Sequence, residues 1–380
     1  MKALRFNGDV LVTGANSMEY LKKIKYNKAF IVTGGQSMFK SGVINKVKEY
    51  LGNDEERIFV YSGIGKNPTT EEVKKGIESI KKFEPDLVVA VGGGSPIDAA
   101  KIIALIYEYP ELNVETLTKS ILPEKRYKTK FVAIPSTSGT ASEVTNVSVL
   151  TYEDINLKLG IKSPSLRPDI AILDGNIPMT LPYNIAAETG MDALTHAIEA
   201  YINKTSDDFT EVLAKGAIEG LIEWLPISCN NKDIESRQKV HNYQSMAGMA
   251  FSNSGLGMVH GISHAFGGKY NLAHGLTNAI ILPYAMKYNS RDKEVFKKFE
   301  KLSTAVGFNI IEKVESLNKE LGIAGCIKDA GISEEDFNRD YDLLVENSMC
   351  GSTVANPIKI DIEVMKKLVK TVYNGTEIDY

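Results

Sequence analysis

Cysteine is scarce in this chain. Its 380 residues hold three, Cys229, Cys326 and Cys350, odd in number, widely spaced and without a C-x-x-C pair. That speaks against a disulfide scaffold or a thiolate zinc site and leads us to expect a reducing, cytoplasmic setting. No apolar run is long enough to span a bilayer. The opening MKALRFNGDVLVTG lacks the apolar core and small-residue cleavage pattern of a signal peptide. No dense basic block interrupts a net charge of −4, which argues against nucleic acid or an anionic membrane as the partner. The G-x-G-x-x-G signature of a standard dinucleotide fold is also missing. Histidine numbers only five, so where those five stand is informative.

Four of them, with one aspartate, fall in two stretches. GMDALTHAIEA carries Asp192 and His196; NSGLGMVHGISHAFGGKYNLAHG carries His260, His264 and His274. Residues four apart share a helix face, one turn of about 5.4 Å apart. Asp192 with His196, and His260 with His264, can each aim two side chains at one point, and the Gly-flanked His274 can fold back onto it. Carboxylate plus imidazole suits a borderline divalent metal such as Fe, Zn, Mn or Co. A single histidine on an apolar helix face is usually a hydrogen-bonded core residue, but this many ligand types at compatible spacing favour a metal. His241, outside both stretches, reads as structural. Glu188 and Glu199 read as solvent-facing or supporting helix residues.

The rest of the chain has two textures. Up to about residue 178, short β-rich runs alternate with amphipathic helical ones: AFIVT (29–33), RIFVY (57–61), LVVAV (87–91), FVAIP (131–135) and DIAILD (169–174). Strands separated by helices imply a parallel sheet with crossovers. SVLTY and LKLGI read as an antiparallel ribbon. Thr69 or Thr70 caps a helix over TEEVKKGIESIKKF. Beyond Pro178 and Pro182 the pattern is helical throughout, over 183–203, 208–224, 235–252, 257–268, 277–288, 294–306, 311–321, 334–346 and 361–373. The expectation is an α/β, Rossmann-like dinucleotide-binding domain over 1–178 and an all-α metal-binding domain over 179–380.

Two strand-end loops suit a dinucleotide. VVAVGGGSPIDAAK sets Gly93, Gly94 and Ser95 between a strand and a helix. Glycines let backbone approach a phosphate, and a helix N-terminus offers unpaired N–H groups. IPSTSGTASEVT adds Thr137, Ser138 and Thr140, which can bond phosphate, ribose or carboxamide. Asn67 in KNPTT is a third candidate on the same edge, although Asn-Pro is also an ordinary turn.

These segments together resemble the iron-dependent (group III) alcohol dehydrogenase family over almost the whole chain, most specifically in GGGSPIDAAK, IPSTSGTASE, GMDALTHAIEAY and GLGMVHGISHAFGG…HG. The resemblance implies a dehydroquinate synthase-like fold and a small alcohol or aldehyde substrate at Fe(II), with Zn(II) the alternative, in a cleft between the domains. It implies metal ligands Asp192, His196, His260 and His274, with His264 near substrate and nicotinamide; an imidazole there can relay the alcohol proton. It also implies pyrophosphate contacts at Gly93, Gly94 and Ser95 supported by Asp98, a nicotinamide-side loop at Thr137, Ser138 and Thr140, and further cofactor contacts at Asn67 and Lys158. NAD-preferring members resemble one another in an aspartate after the first strand. Here Gly34, Gly35 and Ser37 stand there with no carboxylate to repel a 2′-phosphate, so NADP(H) is expected over NAD(H). Homodimers or higher homo-oligomers are common in the family. The alternatives are a zinc-dependent glycerol dehydrogenase-like enzyme with fewer protein ligands, a maleylacetate reductase-like enzyme, or a non-enzymatic cofactor- and metal-binding regulator.

Overall fold

A computed structural model describes residues 2–154 and 157–379. They form two compact units, one running to Leu181 and including Asp233–Ser245, the other comprising Pro182–Lys232 and the chain from Met246 on.

The first unit is built on a six-stranded parallel sheet. Its strands are β1 (Val10–Thr13), β2 (Ala29–Gly34), β3 (Ile58–Ile64), β4 (Leu87–Gly92), β5 (Lys130–Pro135) and β8 (Ile170–Leu173), in the order β1-β8-β5-β4-β2-β3. A hairpin of β6 (Val147–Tyr152) and β7 (Leu157–Lys162) pairs antiparallel, as expected from SVLTY and LKLGI. The central strands are unbroken apolar runs because both faces are covered. Phe30, Val32, Val88, Ala90, Phe131 and Ala133 pack on one face with helices α3 (Thr70–Phe83) and α4 (Gly94–Glu108). The alternate residues Ile31, Val89, Val91 and Val132 pack on the other with α1 (Ser37–Lys40) and α2 (Val43–Tyr50). Thr69 caps α3 with a full capping box: its side chain accepts from the Glu72 N–H, and Glu72 reaches back to the Thr69 N–H.

Strand β1 was not expected. It is a four-residue edge strand, half-exposed, that pairs with β8 from Val10↔Ile170 to Thr13↔Leu173. Its place is set by a partner about 160 residues away, which local periodicity does not register.

From β2 the chain turns one way to β3 and the other way to β4. The carboxyl ends of β2 and β4 therefore flank the point where strand order reverses, the usual ligand position in an open parallel sheet. Gly34–Ser37 and Gly92–Ser95 stand at those ends.

The remaining helices are α5 (Tyr183–Ile202), α6 (Asp208–Asn231), α7 (Ile234–Ser254), α8 (Met258–Tyr270), α9 (His274–Asn289), α10 (Lys293–Val306), α11 (Ile310–Glu320), α12 (Glu334–Ser348) and α13 (Ile362–Asn374). Helix α6 runs seven residues past its expected end, through Pro226. Helix α9 begins three residues early, at His274. No helix among the described residues is long and apolar enough to cross a membrane.

Candidate functional site

Helices α5, α8 and α9 bring three of the expected ligands together. One donor atom each from Asp192, His260 and His274 lies within 4.8 Å of the others, and Asp192 Oδ1 is 3.7 Å from His274 Nε2. Close helix packing makes this possible. A Cβ on Gly275 would stand 2.3 Å from the Glu188 carbonyl oxygen, so only glycine lets the start of α9 press onto α5 and set His274 beside Asp192.

His260 is held from behind. Glu199 is buried on α5, and its carboxylate accepts from the Val259 N–H at 2.7 Å and meets His260 Nδ1 at 2.6 Å. An anion at the first turn of α8 satisfies an N–H that has no partner within the helix. A carboxylate only accepts, so the Nδ1 carries the ring proton and Nε2 presents its lone pair. Burial pushes the Glu199 carboxyl up to about 7, against hydrogen bonds from the Gly257 and Val259 backbone. Burial drives His260 well below its ordinary value, reinforced by the neighbouring imidazoles. Burial also acts to raise Asp192, but His196, His274 and His260 together with an Asn278 hydrogen bond outweigh it and hold the carboxylate below its ordinary range.

The other two histidines flank this group. The His196 ring stacks on His260 with centroids 4.6 Å apart and on Phe251 at 4.4 Å; the three-donor group does not include it. The exposed His264 ring stacks on His274 at 5.1 Å and meets His260 edge-on at 6.0 Å. A buried carboxylate beside converging imidazole nitrogens, with a carboxylate fixing one tautomer, is a donor set that fits a divalent cation.

In the first unit, the loops after β4 and β5 touch. A Cβ on Gly94 would lie 2.9 Å from the Thr140 side chain, and one on Gly93 3.4 Å from Thr137. Gly92 has φ +147°, and a Cβ there would meet Pro96 at 2.5 Å. The Ser95 hydroxyl donates to the Lys66 carbonyl, beside Asn67. Gly35 and Ser37 are exposed past the end of β2, and nothing stands within 4 Å of a Cβ on Gly35. Lys158 lies on β7, and burial lowers its pKa.

Two of the cofactor candidates spend their polar atoms inside the protein. Asp98 accepts from the Ser142 hydroxyl and, at 2.9 Å, from the Val149 N–H. The Ser138 hydroxyl is 2.9 Å from His241 Nδ1, so the structural reading of His241 comes with a named partner.

Of its two sequence readings Glu199 takes the supporting one, internal and not solvent-facing. Sequence reasoning passed over two residues. Asn278 stands four residues after His274, the same spacing that flagged the other pairs, and its amide reaches the donor group. Lys101 is buried on α4, with Nζ donating to Ser142 at 3.0 Å, Thr145 at 3.1 Å and the Val147 carbonyl at 2.6 Å.

Known proteins align with this chain along nearly its whole length. The iron-containing alcohol dehydrogenase profile matches residues 11–175, and the profile of the Fe-containing alcohol dehydrogenase family, C-terminal, matches residues 186–373. The chain is 41% identical to the NADPH-dependent butanol dehydrogenase of Clostridium saccharobutylicum over 377 residues, 97% of each protein. It is 33% identical to an aldehyde-alcohol dehydrogenase of Streptococcus pneumoniae, where 95% of this chain spans 45% of that longer protein. Among solved structures, the iron-containing alcohol dehydrogenase of Thermococcus thioreducens superposes with a TM-score of 0.90 at 32% identity, over 98% of this chain and all of that one. With both family profiles matched in order and nearly end to end, this chain belongs to the iron-containing alcohol dehydrogenase family.

Proposed function

We propose that the enzyme moves hydride between NADP(H) and a small alcohol or aldehyde at Fe(II), with Asp192, His196, His260 and His274 as metal ligands. The observation that carries this reading is the convergence of Asp192, His260 and His274 on one point. In this reading residues 1–178 bind the dinucleotide, 179–380 bind the metal, and the protein works in the cytoplasm as a homodimer or higher homo-oligomer. The cofactor contacts are Gly34, Gly35, Ser37, Asn67, Gly93, Gly94, Ser95, Thr137, Thr140 and Lys158, with Asp98 and Ser138 bracing the loops. The preference for NADP(H) is supported by the lack of a carboxylate after β2 and by the NADPH dependence of the C. saccharobutylicum relative.

When bound, iron supplies Lewis acidity toward an alcohol or carbonyl oxygen, and the nicotinamide supplies the hydride chemistry. Asp192 contributes the one negative charge among the four ligands, so the site does not neutralise a divalent ion. Glu199 keeps the His260 proton on Nδ1. His264 is the proposed proton carrier: it is exposed, stacked against His274, and open to water on its other side.

The test is a panel of short alcohols and aldehydes, run with NAD(H) and NADP(H) in parallel on iron-reconstituted protein. Turnover that chelation abolishes and ferrous iron restores is expected. Full activity in thoroughly metal-free protein overturns the metal role. The exclusion of His196 from the three-donor group favours one second reading, a three-ligand zinc site like that of glycerol dehydrogenases. His196→Ala with undiminished metal affinity would select it.

A further inference from the structure

Asn278 stands on α9 one turn beyond His274 and is fully buried. Its Nδ2 lies 2.7 Å from Asp192 Oδ1, 3.2 Å from His260 Nε2 and 3.1 Å from His274 Nε2. Three acceptors thus converge on a nitrogen that carries two hydrogens. Its own carbonyl, Oδ1, is buried without a hydrogen-bond partner. Turning the amide over would set that oxygen against the Asp192 carboxylate, so charge fixes the orientation.

The acceptors are the same atoms that would ligate a cation, and electron counting separates them. An imidazole Nε2 has a single lone pair, which either accepts an N–H or binds a metal. A carboxylate oxygen has two lone pairs and can do both. We propose that the Asn278 amide is a built-in competitor for the metal. Cation binding requires it to give up His260 and His274 while it keeps Asp192. Asn278 is then a positioning residue that sets how fast the site loads. This rests on the ligand reading given above.

The test is rapid mixing of metal-free protein with Co(II), followed by its d–d absorbance, for wild type and Asn278→Ala. The alanine variant is expected to take up Co(II) about tenfold faster, the equivalent of ~1.4 kcal/mol of hydrogen bonding no longer surrendered. Uptake as slow as wild type, or slower, overturns the proposal. Should the variant fail to fold, wild-type crystals grown with and without Co(II) decide. The amide nitrogen is expected to lie beyond about 3.5 Å from both Nε2 atoms in the loaded crystal and within hydrogen-bond distance of Asp192. An amide still bonded to both imidazoles overturns the idea. Absence of any d–d signal in wild type removes the ligand set itself, a separate failure.

Discussion

Glu199→Gln asks whether His260 is made a ligand by the residue behind it. Besides a bond from the Gly257 backbone, the carboxylate takes hydrogen bonds from Val259 N–H at 2.7 Å and His260 Nδ1 at 2.6 Å. Both residues are buried, Glu199 with 3% and His260 with 1% of its surface exposed. Glutamine has the same shape, but one end of its amide is a donor. With its oxygen on the Val259 N–H, its NH₂ meets Nδ1 and drives the ring proton to Nε2, which cancels the ligand lone pair. With its oxygen on Nδ1, the NH₂ faces the Val259 N–H, donor against donor. Either way one bond to a charged group is lost, each being about 1.5–3 kcal/mol. Part of that falls on folding and part on binding. The expected loss of metal affinity is about 10–100-fold, or ~1.4–2.7 kcal/mol. Competition for Co(II) or Fe(II) against a chromophoric chelator measures it directly. An affinity within about threefold of wild type, in a variant that melts cooperatively, would refute the tautomer argument.

Three further perturbations probe the rest of the molecule. His241 is buried, and burial brings its pKa down from 6.5 to about 4 despite the opposing charge of Asp174. The unfolded chain therefore binds the extra proton between those values, so this residue's cost to stability is absent above 6.5, grows as pH falls from 6.5 to 4, and levels off below at about 3 kcal/mol. Urea melts of His241→Gln should show a flatter stability profile over that window, and an unchanged slope counts against the assignment. Gly94→Ala places a Cβ 2.9 Å from Thr140; the NADP(H) KM should rise about tenfold, the low end of overpacking costs, with Co(II) affinity unchanged. At Gly35 an added Cβ meets no atom within 4 Å, and Gly35→Asp sets a carboxylate after β2. Steady-state kinetics should show kcat/KM for NADPH falling about tenfold or more by like-charge repulsion, with NADH affected less; equal effects on both cofactors would remove the argument for NADP(H).

The fold was legible wherever residues on one element face a single environment. Strands β2, β4 and β5 are covered on both faces, so AFIVT, LVVAV and FVAIP each read as one apolar block. The amphipathic helices α3, α10 and α13 showed their faces at the expected spacing. Strand β1 did not, being four residues of an edge whose register belongs to β8. The expected end of α6 at residue 224 falls just before Pro226, a residue type that removes a bond from a helix interior, yet this helix tolerates it and continues to Asn231.

The site was half legible for a related reason. Four-residue spacing exposed Asp192, His196, His260 and His264, since it needs only that the segment be helical. The same spacing joins His274 to Asn278, but α9 was expected to begin after His274, so the pair was not seen as one face. Glu199, left open between solvent-facing and supporting, and Lys101, passed over, were obscured for another reason. Helix α5 is buried from Gly190 through Ile202 without interruption, and α4 nearly so from Pro96 to Ile106. A helix enclosed on all sides has no wet face against which a charged residue can be judged inward or outward. On such a helix a charge is expensive unless paired, so each one implies a partner even before the partner is known. Glu199 finds Val259 and His260, and Lys101 finds Ser142, Thr145 and Val147. A glutamate or lysine inside a wholly apolar helical run is therefore a better pointer to the site than its own chemistry suggests. In this chain both such residues lie one turn from a candidate already marked by its motif, Glu199 from His196 and Lys101 from Asp98.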